Sequence, residues 1–385
     1  MRRQAWIAAL LFLCPLAAHA TWLIALTPAD NGGLTAFVAA ASKAVYAIPI
    51  DSSGVSHPER ATLIATGVAP GYVLGVGRSA AGYAMSYRDA AEFGYFLPLA
   101  SNFSLLTPPQ ALGKYLVAPI VCNGDVCAIF RTYLQALVFL DPKGEWIGQV
   151  QLPPSFLPSV STAGDGFAVA GETRATDTSP WDLHIDFVSR AGQITGTSVI
   201  ATNNERLGGI TIVPHPLGVA AFWPDKKQIR AAVVHTDGTV AATATYPTPD
   251  LELSRVSVAY NGGQFAIGFD TYLAYGGPAH TFFPALFAAY LMRVSESLAV
   301  VEGPVRLAPS AVDSGVGPIA ANGDAFFARW YATGTDTPAP TYPAPWPAVY
   351  EDHLLRIALT GPIEPAASVP FNITPVTARR RSVNR

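Results

Sequence analysis

The chain has 385 residues, of which 50% are hydrophobic and only 13% are charged, and its formal net charge is −3. This composition excludes an intrinsically disordered chain, and the absence of a basic stripe argues against nucleic-acid binding. Glycine and proline each occur 33 times and are dispersed along the chain, which predicts many turns between short strands.

The N-terminus has the pattern of a secretory signal peptide. Two arginines precede an apolar run from Ala5 to Leu16, and Ala18-His-Ala20 supplies a small-x-small cleavage site. We therefore expect residues 1–20 to be removed by cleavage near Ala20, and the mature protein to be secreted or periplasmic. No later segment offers 18 uninterrupted apolar residues, so the sequence predicts no membrane span.

Seven segments share one pattern: an apolar strand, a short turn that usually contains glycine, and a second apolar strand. They are 28–40, 74–89, 120–133, 159–174, 212–225, 256–272 and 318–333. A second turn, which ends in glycine between two alternating strands, follows several of them. It occurs at Asp51–Gly54, Asp141–Gly144, Ser189–Gly192 and His235–Gly238.

The spacing of these turns decides the fold class. Four short strands in each period of about 45 to 50 residues are typical of a β-propeller blade. Seven such periods fill residues 21–375, so we predict an all-β protein, a seven-bladed β-propeller of four-stranded antiparallel blades in a single domain. Residues 376–385 would form a basic C-terminal tail. A β-sandwich would also contain many short strands but requires no fixed period.

Among these turns, an Asn-Gly signature occurs at Asn123-Gly-Asp125, Asn261-Gly-Gly263 and Asn322-Gly-Asp324. At these residues the chain resembles the secreted bacterial propellers built from repeats with an Asn-Gly-x-x-aromatic hairpin followed by an apolar strand. The resemblance implies the architecture but no particular activity, because such propellers include adhesins, lectins, enzymes and scaffolds.

The segment Cys122-Asn-Gly-Asp-Val-Cys127 contains the two cysteines expected in the mature chain. A metal site would need further cysteine or histidine ligands, and a Cys-x-x-Cys redox centre has a different spacing. Two cysteines facing each other across a tight hairpin suit a disulfide in an oxidising compartment. Because this disulfide closes a short loop, we expect it to stabilise the fold modestly, by about 2 kcal/mol.

The order of strands assigns the connections to two faces. With strands a to d running outward from the axis, the short a–b and c–d turns lie on one face, the turn face. The b–c and d–a connections lie on the other, the loop face. Three b–c connections carry insertions rich in aromatic residues, glycine and proline, at 173–182, 271–284 and 331–347. Long loops on a rigid scaffold commonly bind ligands. The alternative is that the insertions only cover the surface, or form flexible proline-rich loops, without a binding role.

The b strands end in polar and aromatic residues beside these insertions. Aligned on their first large residue, they predict a ring of ligand-binding side chains at the mouth of the central channel: Arg88, Arg131, Trp223, Asp270, Trp330 and Tyr331. The arginines suit a carboxylate or sulfate, and Glu172 with Asp270 suits an acid/base pair. The ordinary alternative is that these strand ends simply meet water.

No catalytic motif, metal-ligand spacing or cofactor-binding motif occurs, so we expect no cofactor and no metal, and we favour a function without catalysis. The first hypothesis is a monomeric exported propeller that binds a glycan, a small molecule or an envelope protein through its loop face. The second is a carbohydrate-active hydrolase or lyase that uses Glu172 and Asp270. The third is a structural protein-interaction scaffold.

Ring closure has two possible arrangements. In one, the first strand, near Trp22 to Leu26, pairs with strands of the seventh unit. In the other, the C-terminal segment 367–373 supplies the last outer strand.

Overall fold

The computed structural model describes residues 21–375 except 41, 90, 115–119, 132–133, 175, 177–178, 205–208, 250–252, 275–285, 310–313 and 334–349. The predicted signal peptide and basic tail therefore lie outside the described residues. The described chain forms 28 strands in seven sheets of four antiparallel strands. It contains no helix that is long and apolar enough to cross a membrane.

Each blade is built from four strands that are consecutive in the chain. Blade 1 contains β1 (Thr21–Pro28), β2 (Leu34–Ala40), β3 (Ala44–Ile50) and β4 (Thr62–Thr66). Blade 2 contains β5 (Val68–Ser79), β6 (Gly82–Asp89), β7 (Phe93–Ala100) and β8 (Gln110–Lys114). Blade 3 contains β9 (Ile120–Asn123), β10 (Val126–Arg131), β11 (Ala136–Leu140) and β12 (Trp146–Gln151). Blade 4 contains β13 (Phe156–Ala163), β14 (Gly166–Thr173), β15 (Trp181–Val188) and β16 (Ile194–Asn204).

The remaining three blades follow the same scheme. Blade 5 contains β17 (Thr211–His215), β18 (Gly218–Asp225), β19 (Gln228–His235) and β20 (Val240–Pro247). Blade 6 contains β21 (Leu253–Asn261), β22 (Gln264–Ala274), β23 (Leu286–Ser295) and β24 (Val300–Arg306). Blade 7 contains β25 (Ser314–Asn322), β26 (Ala325–Thr333), β27 (Tyr350–Ala358) and β28 (Val369–Pro370).

The seven blades form a ring. The first strand of each blade contacts the first strand of the next, from β1 and β5 through to β21 and β25, and β25 contacts β1 in turn. The protein is therefore a seven-bladed β-propeller, which confirms the predicted fold class. All seven predicted a–b hairpins and the four predicted c–d turns lie between the expected strands.

Burial of the strands follows their distance from the ring's edge. The second strands β10 and β18 are buried along nearly their whole length, because neighbouring blades cover both of their faces. The outer strands β12 and β20 alternate between more and less exposed residues. This difference explains why the inner part of each blade reads as a continuous apolar run and the outer part as an alternating one.

The hydrophobic core is divided into clusters between adjacent blades. One cluster joins Phe96 of blade 2, Phe130 and Phe139 of blade 3 and Phe167 of blade 4, all essentially inaccessible to solvent. Burying one such side chain contributes about 1.5 to 3 kcal/mol, so packing between blades is a major source of stability.

The second of the two closure arrangements is the one observed. β28 is the outer strand of blade 7 and pairs with β27, whereas β1 pairs with β2 inside blade 1. Blades 7 and 1 exchange no strand. Their seam is filled by side chains, among them Leu34, Phe327 and Phe371.

Three asparagines of the Asn-Gly turns, Asn123, Asn261 and Asn322, also join neighbouring blades. The Asn123 side-chain amide donates to the Gly164 and Gly166 carbonyls of blade 4, at 3.1 and 2.9 Å. Asn261 makes the same pair of contacts to blade 7, and the Asn322 amide donates to the Ala29 and Gly33 carbonyls of blade 1. From the sequence, these asparagines were expected only to form the hairpin turn.

The predicted disulfide between Cys122 and Cys127 is present. The two residues are direct cross-strand partners in β9 and β10, on the turn face of blade 3. The disulfide is therefore an element of the hairpin and lies opposite the loop face.

Candidate functional site

The two candidate acid/base residues are buried in contacts between blades. Glu172 is fully buried at the end of β14, and its Oε1 accepts a hydrogen bond from the Gly209 amide at 3.0 Å. Asp270 is 2% exposed in β22, and its Oδ1 accepts from the Val316 amide of blade 7 at 2.5 Å. In both cases a carboxylate accepts a backbone N–H from the chain that begins the next blade, which suits a structural role. A catalytic role for the pair stays a prediction.

The two candidate arginines lie in different blades. The Arg131 guanidinium of blade 3 lies against β8 of blade 2, with Nη2 3.2 Å from the point that a Cβ atom would occupy at Gly113. Arg88 is half-buried at the end of β6, beside Tyr87. The ring of Tyr87 stacks on that of Tyr95 at 5.3 Å, and burial raises the pKa of Tyr87. A shared role of the two arginines in binding stays a prediction.

The two candidate tryptophans are inside the protein. Trp223 is 2% exposed in the core between blades 4 and 5. Trp330 is 6% exposed, stacks on the His353 ring at 4.3 Å, and donates from Nε1 to Ser368 Oγ at 3.0 Å. Both rings are therefore buried beneath the loop face and are not exposed on it.

Several pairs of a cationic side chain and an aromatic ring lie on the loop face. Four such pairs occur among the described residues, and three of them lie at the loop-face ends of strands. Lys114 Nζ lies 5.2 Å from the Phe93 ring, Arg174 Cζ lies 4.7 Å from the Trp181 ring and Arg329 Cζ lies 5.5 Å from the Tyr331 ring. The fourth, Arg78 over Tyr83, lies near the turn face.

Exposed aromatic surface lies at or beside two of these pairs, Lys114–Phe93 and Arg174–Trp181. Phe93 is 38% exposed at the start of β7, and Phe156, which packs 5.8 Å from the Trp181 ring, is 41% exposed. The alignment of b strands missed Phe93 and Phe156. An alignment of c strands would have found Phe93 and Trp181, because β7, β15 and β27 each begin with an aromatic residue: Phe93, Trp181 and Tyr350.

A polar cluster lies on blade 7, beside the strand ends that flank the third insertion. Arg329 Nη2 and Asp352 Oδ1 are 2.6 Å apart. Burial raises the pKa of the Asp352 carboxyl although Arg329 opposes the shift, and burial lowers the pKa of His353. Tyr331 and Arg329 lie over Gly315 and Gly317 of the inner strand β25, where added side chains would collide with them.

The insertions themselves are described only in part. Trp181 and Arg174 belong to the first insertion and are described, whereas most of the second and third insertions lies outside the described residues, at 275–285 and 334–349.

A shallow cleft of about 560 Å³ lies beside the b–c turn of blade 5, on the same face. Its lining includes Lys226, Lys227 and Arg230, and Arg230 Nε lies 2.6 Å from Asp225 Oδ2. No group of three or more histidine, cysteine or acidic side chains suited to a metal ion occurs in the described part of the chain.

Comparisons with known proteins leave the function open. No protein-family model matches the chain, and no curated protein matches it. Among solved structures it is similar to hydrazine synthase from Kuenenia stuttgartiensis, with 12% sequence identity, a TM-score of 0.43, and coverage of 71% of this chain and 79% of that chain.

Proposed function

We propose that the protein is exported and binds a glycan through its loop face. The observation that carries this proposal is the concentration of cation–ring pairs there, in blades 2, 4 and 7. The signal-peptide pattern at residues 1–20 supports export, and a disulfide is compatible with an oxidising compartment outside the cytoplasm.

The chemistry of these pairs suits sugars. A sugar ring presents apolar C–H groups that stack on a flat aromatic ring, and hydroxyls that accept hydrogen bonds from lysine or arginine. Rings held by a neighbouring cation lose little conformational entropy on binding. Arg131 and Tyr331, predicted from the sequence, stay in the proposed site. Trp330 would act by supporting Tyr331 and the adjoining insertion.

The test is a glycan-array screen of the chain from residue 21 onward, followed by thermal-shift titration of each hit. We expect a double variant, Phe93→Ser with Phe156→Ser, to lose affinity by about tenfold or more, because truncating an aromatic anchor commonly costs over 1 kcal/mol. Trp146→Ser is the matched control, since Trp146 is 51% exposed at the start of β12, away from the loop face.

The proposal fails if no glycan stabilises the parent protein, in which case a small molecule or an envelope protein becomes the ligand to search for. It also fails if the control variant loses as much affinity as the double variant.

A further inference from the structure

Arg329 uses little of its hydrogen-bonding capacity. A guanidinium carries five N–H donors. Among the described residues, Asp352 is the only hydrogen-bond partner of the Arg329 side chain. Arg293 offers a contrast, because all of its guanidinium nitrogens donate to Glu302 or to carbonyls of blade 7.

The surroundings hold Arg329 in one orientation. Its Nη2 is fixed by Asp352, its Cζ lies over the Tyr331 ring, and its Nη1 lies 3.0 Å from the point that a Cβ atom would occupy at Gly317. Since Gly315 and Gly317 have no side chains, the guanidinium and the phenol lie directly against the inner strand of blade 7. The group is therefore positioned before any ligand arrives, which lowers the entropy cost of binding.

The unused N–H donors of Arg329 suit an additional hydrogen-bond acceptor. A guanidinium that is only 20% exposed calls for strong counter-charge. The carboxylate beside it accepts from Nη2 alone, and the buried Nε has no hydrogen-bond partner in the described part of the chain. Glu351 and His353 are the other titratable groups nearby on β27, while β25 contributes only glycines at this level.

We propose that Arg329, positioned by Asp352 and Tyr331, binds an anionic oxygen group, a carboxylate or a sulfate, carried by the glycan. The planar fork of a guanidinium matches both groups, and a lysine cannot reproduce that fit. This inference rests on the proposed function, since it assigns the chemical class of the ligand of the same face.

The experiment compares matched acidic and neutral ligands by isothermal titration calorimetry at fixed ionic strength. The carboxylate pair is an oligogalacturonate and its methyl ester, and the sulfate pair is a dextran sulfate fragment and unmodified dextran of equal length. We expect the parent to bind at least one acidic member about 10- to 100-fold more tightly than its neutral partner, the range of a charge-assisted hydrogen-bond pair.

The variants are Arg329→Gln, Arg329→Lys, and Arg329→Gln combined with Asp352→Asn, which leaves no buried carboxylate unpaired. Arg329→Gln and the double variant should lose the preference for the acidic ligand, and Arg329→Lys should keep only part of it. Arg356→Gln is the control, because Arg356 Nη2 donates to Asp324 at 2.7 Å in a comparable pair on the turn face. Circular dichroism confirms that each variant is folded.

Two results overturn the inference and leave the proposed function standing. In one, the parent binds neutral and acidic partners equally. In the other, the folded double variant retains the full acidic preference. Failure of the parent to bind any of these ligands or any glycan on the array would instead remove the proposed function, and this inference with it.

Discussion

Burial raises the pKa of Asp352 above its ordinary value of 3.8 even though Arg329 lies 2.6 Å away. Desolvation penalises the charged carboxylate more than the neighbouring guanidinium stabilises it. Ionisation of the Asp352 carboxyl therefore lowers the free energy of unfolding. In the sequence, Asp352 is only one of several acidic residues near the start of a strand.

The sign of the resulting pH dependence follows from linkage. The folded state holds the Asp352 proton to a higher pH than the unfolded state does, so its contribution to the free energy of unfolding falls as pH rises from about 3.8 through the folded-state pKa. We expect Asp352→Asn to remove this pH-dependent contribution to the free energy of unfolding. Urea denaturation of parent and variant between pH 3.5 and pH 6.5 measures it. A difference between the two proteins that does not change with pH would contradict the assignment.

At the scale of elements, side chains that cross from one blade to the next hold the sheets in position. Arg293 in β23 is buried and bonds to Glu302 of its own blade and to the carbonyls of Ala358, Leu359 and Gly361. Glu302 also accepts from the Ile363 amide at 2.6 Å. The segment between β27 and β28 is therefore anchored on blade 6.

Removing this anchor should destabilise the protein strongly. Arg293→Ala leaves Glu302 and several carbonyls without their partner, and breaking such a buried pair costs about 3 to 5 kcal/mol. Arg190→Ala is the matched control: Arg190 also joins two blades, through Asp125 and Asp165, but its side chain is 39% exposed. We expect the control to cost about 1 kcal/mol or less. Equal losses in chemical denaturation would contradict this ranking.

For the whole molecule, closure of the ring depends on packing between its two ends. β28 has only two residues, yet Phe371 and Ile373 just beyond it are buried with Leu34 and Phe327 in the seam between blades 7 and 1. Because no strand crosses this seam, the closure depends on its apolar side chains and on side-chain hydrogen bonds such as those of Asn322 and Arg356.

A chain that ends at Thr360 should therefore lose cooperative folding. Deleting Phe371 and Ile373 removes about 3 to 6 kcal/mol of burial, a large share of the net stability of a typical domain. A chain that ends at Pro375 lacks only the basic tail and should unfold at the same denaturant concentration as the parent. Denaturation followed by far-ultraviolet circular dichroism distinguishes the two. The role given to this segment would be wrong if both truncated chains unfolded at the parent's midpoint.

The blades were predictable because their signals are local. Gly124, Gly262 and Gly323 adopt the positive φ angles that an Asn-Gly turn requires, and such turns repeat at the spacing of one blade. The Cys122–Cys127 disulfide was predictable for the same reason, since both cysteines belong to one hairpin.

The site was less predictable because exposure depends on the neighbouring blade. The alignment of b strands placed Trp223 and Trp330 beside Tyr331 as surface candidates, but packing against blades 4 and 6 buries both tryptophans. Arg329, one residue before Trp330, faces the opposite side of the strand because successive side chains alternate.

The sequence by itself determined the fold class, the number of blades, the disulfide and the face of each connection, since turn chemistry and strand order depend on residues close together in the chain. Only the tertiary structure decided how the ring closes, that the turn asparagines join blades, and which strand-end side chains stay accessible. Those features depend on contacts between blades, whose partners are a whole repeat or more apart and leave no local pattern.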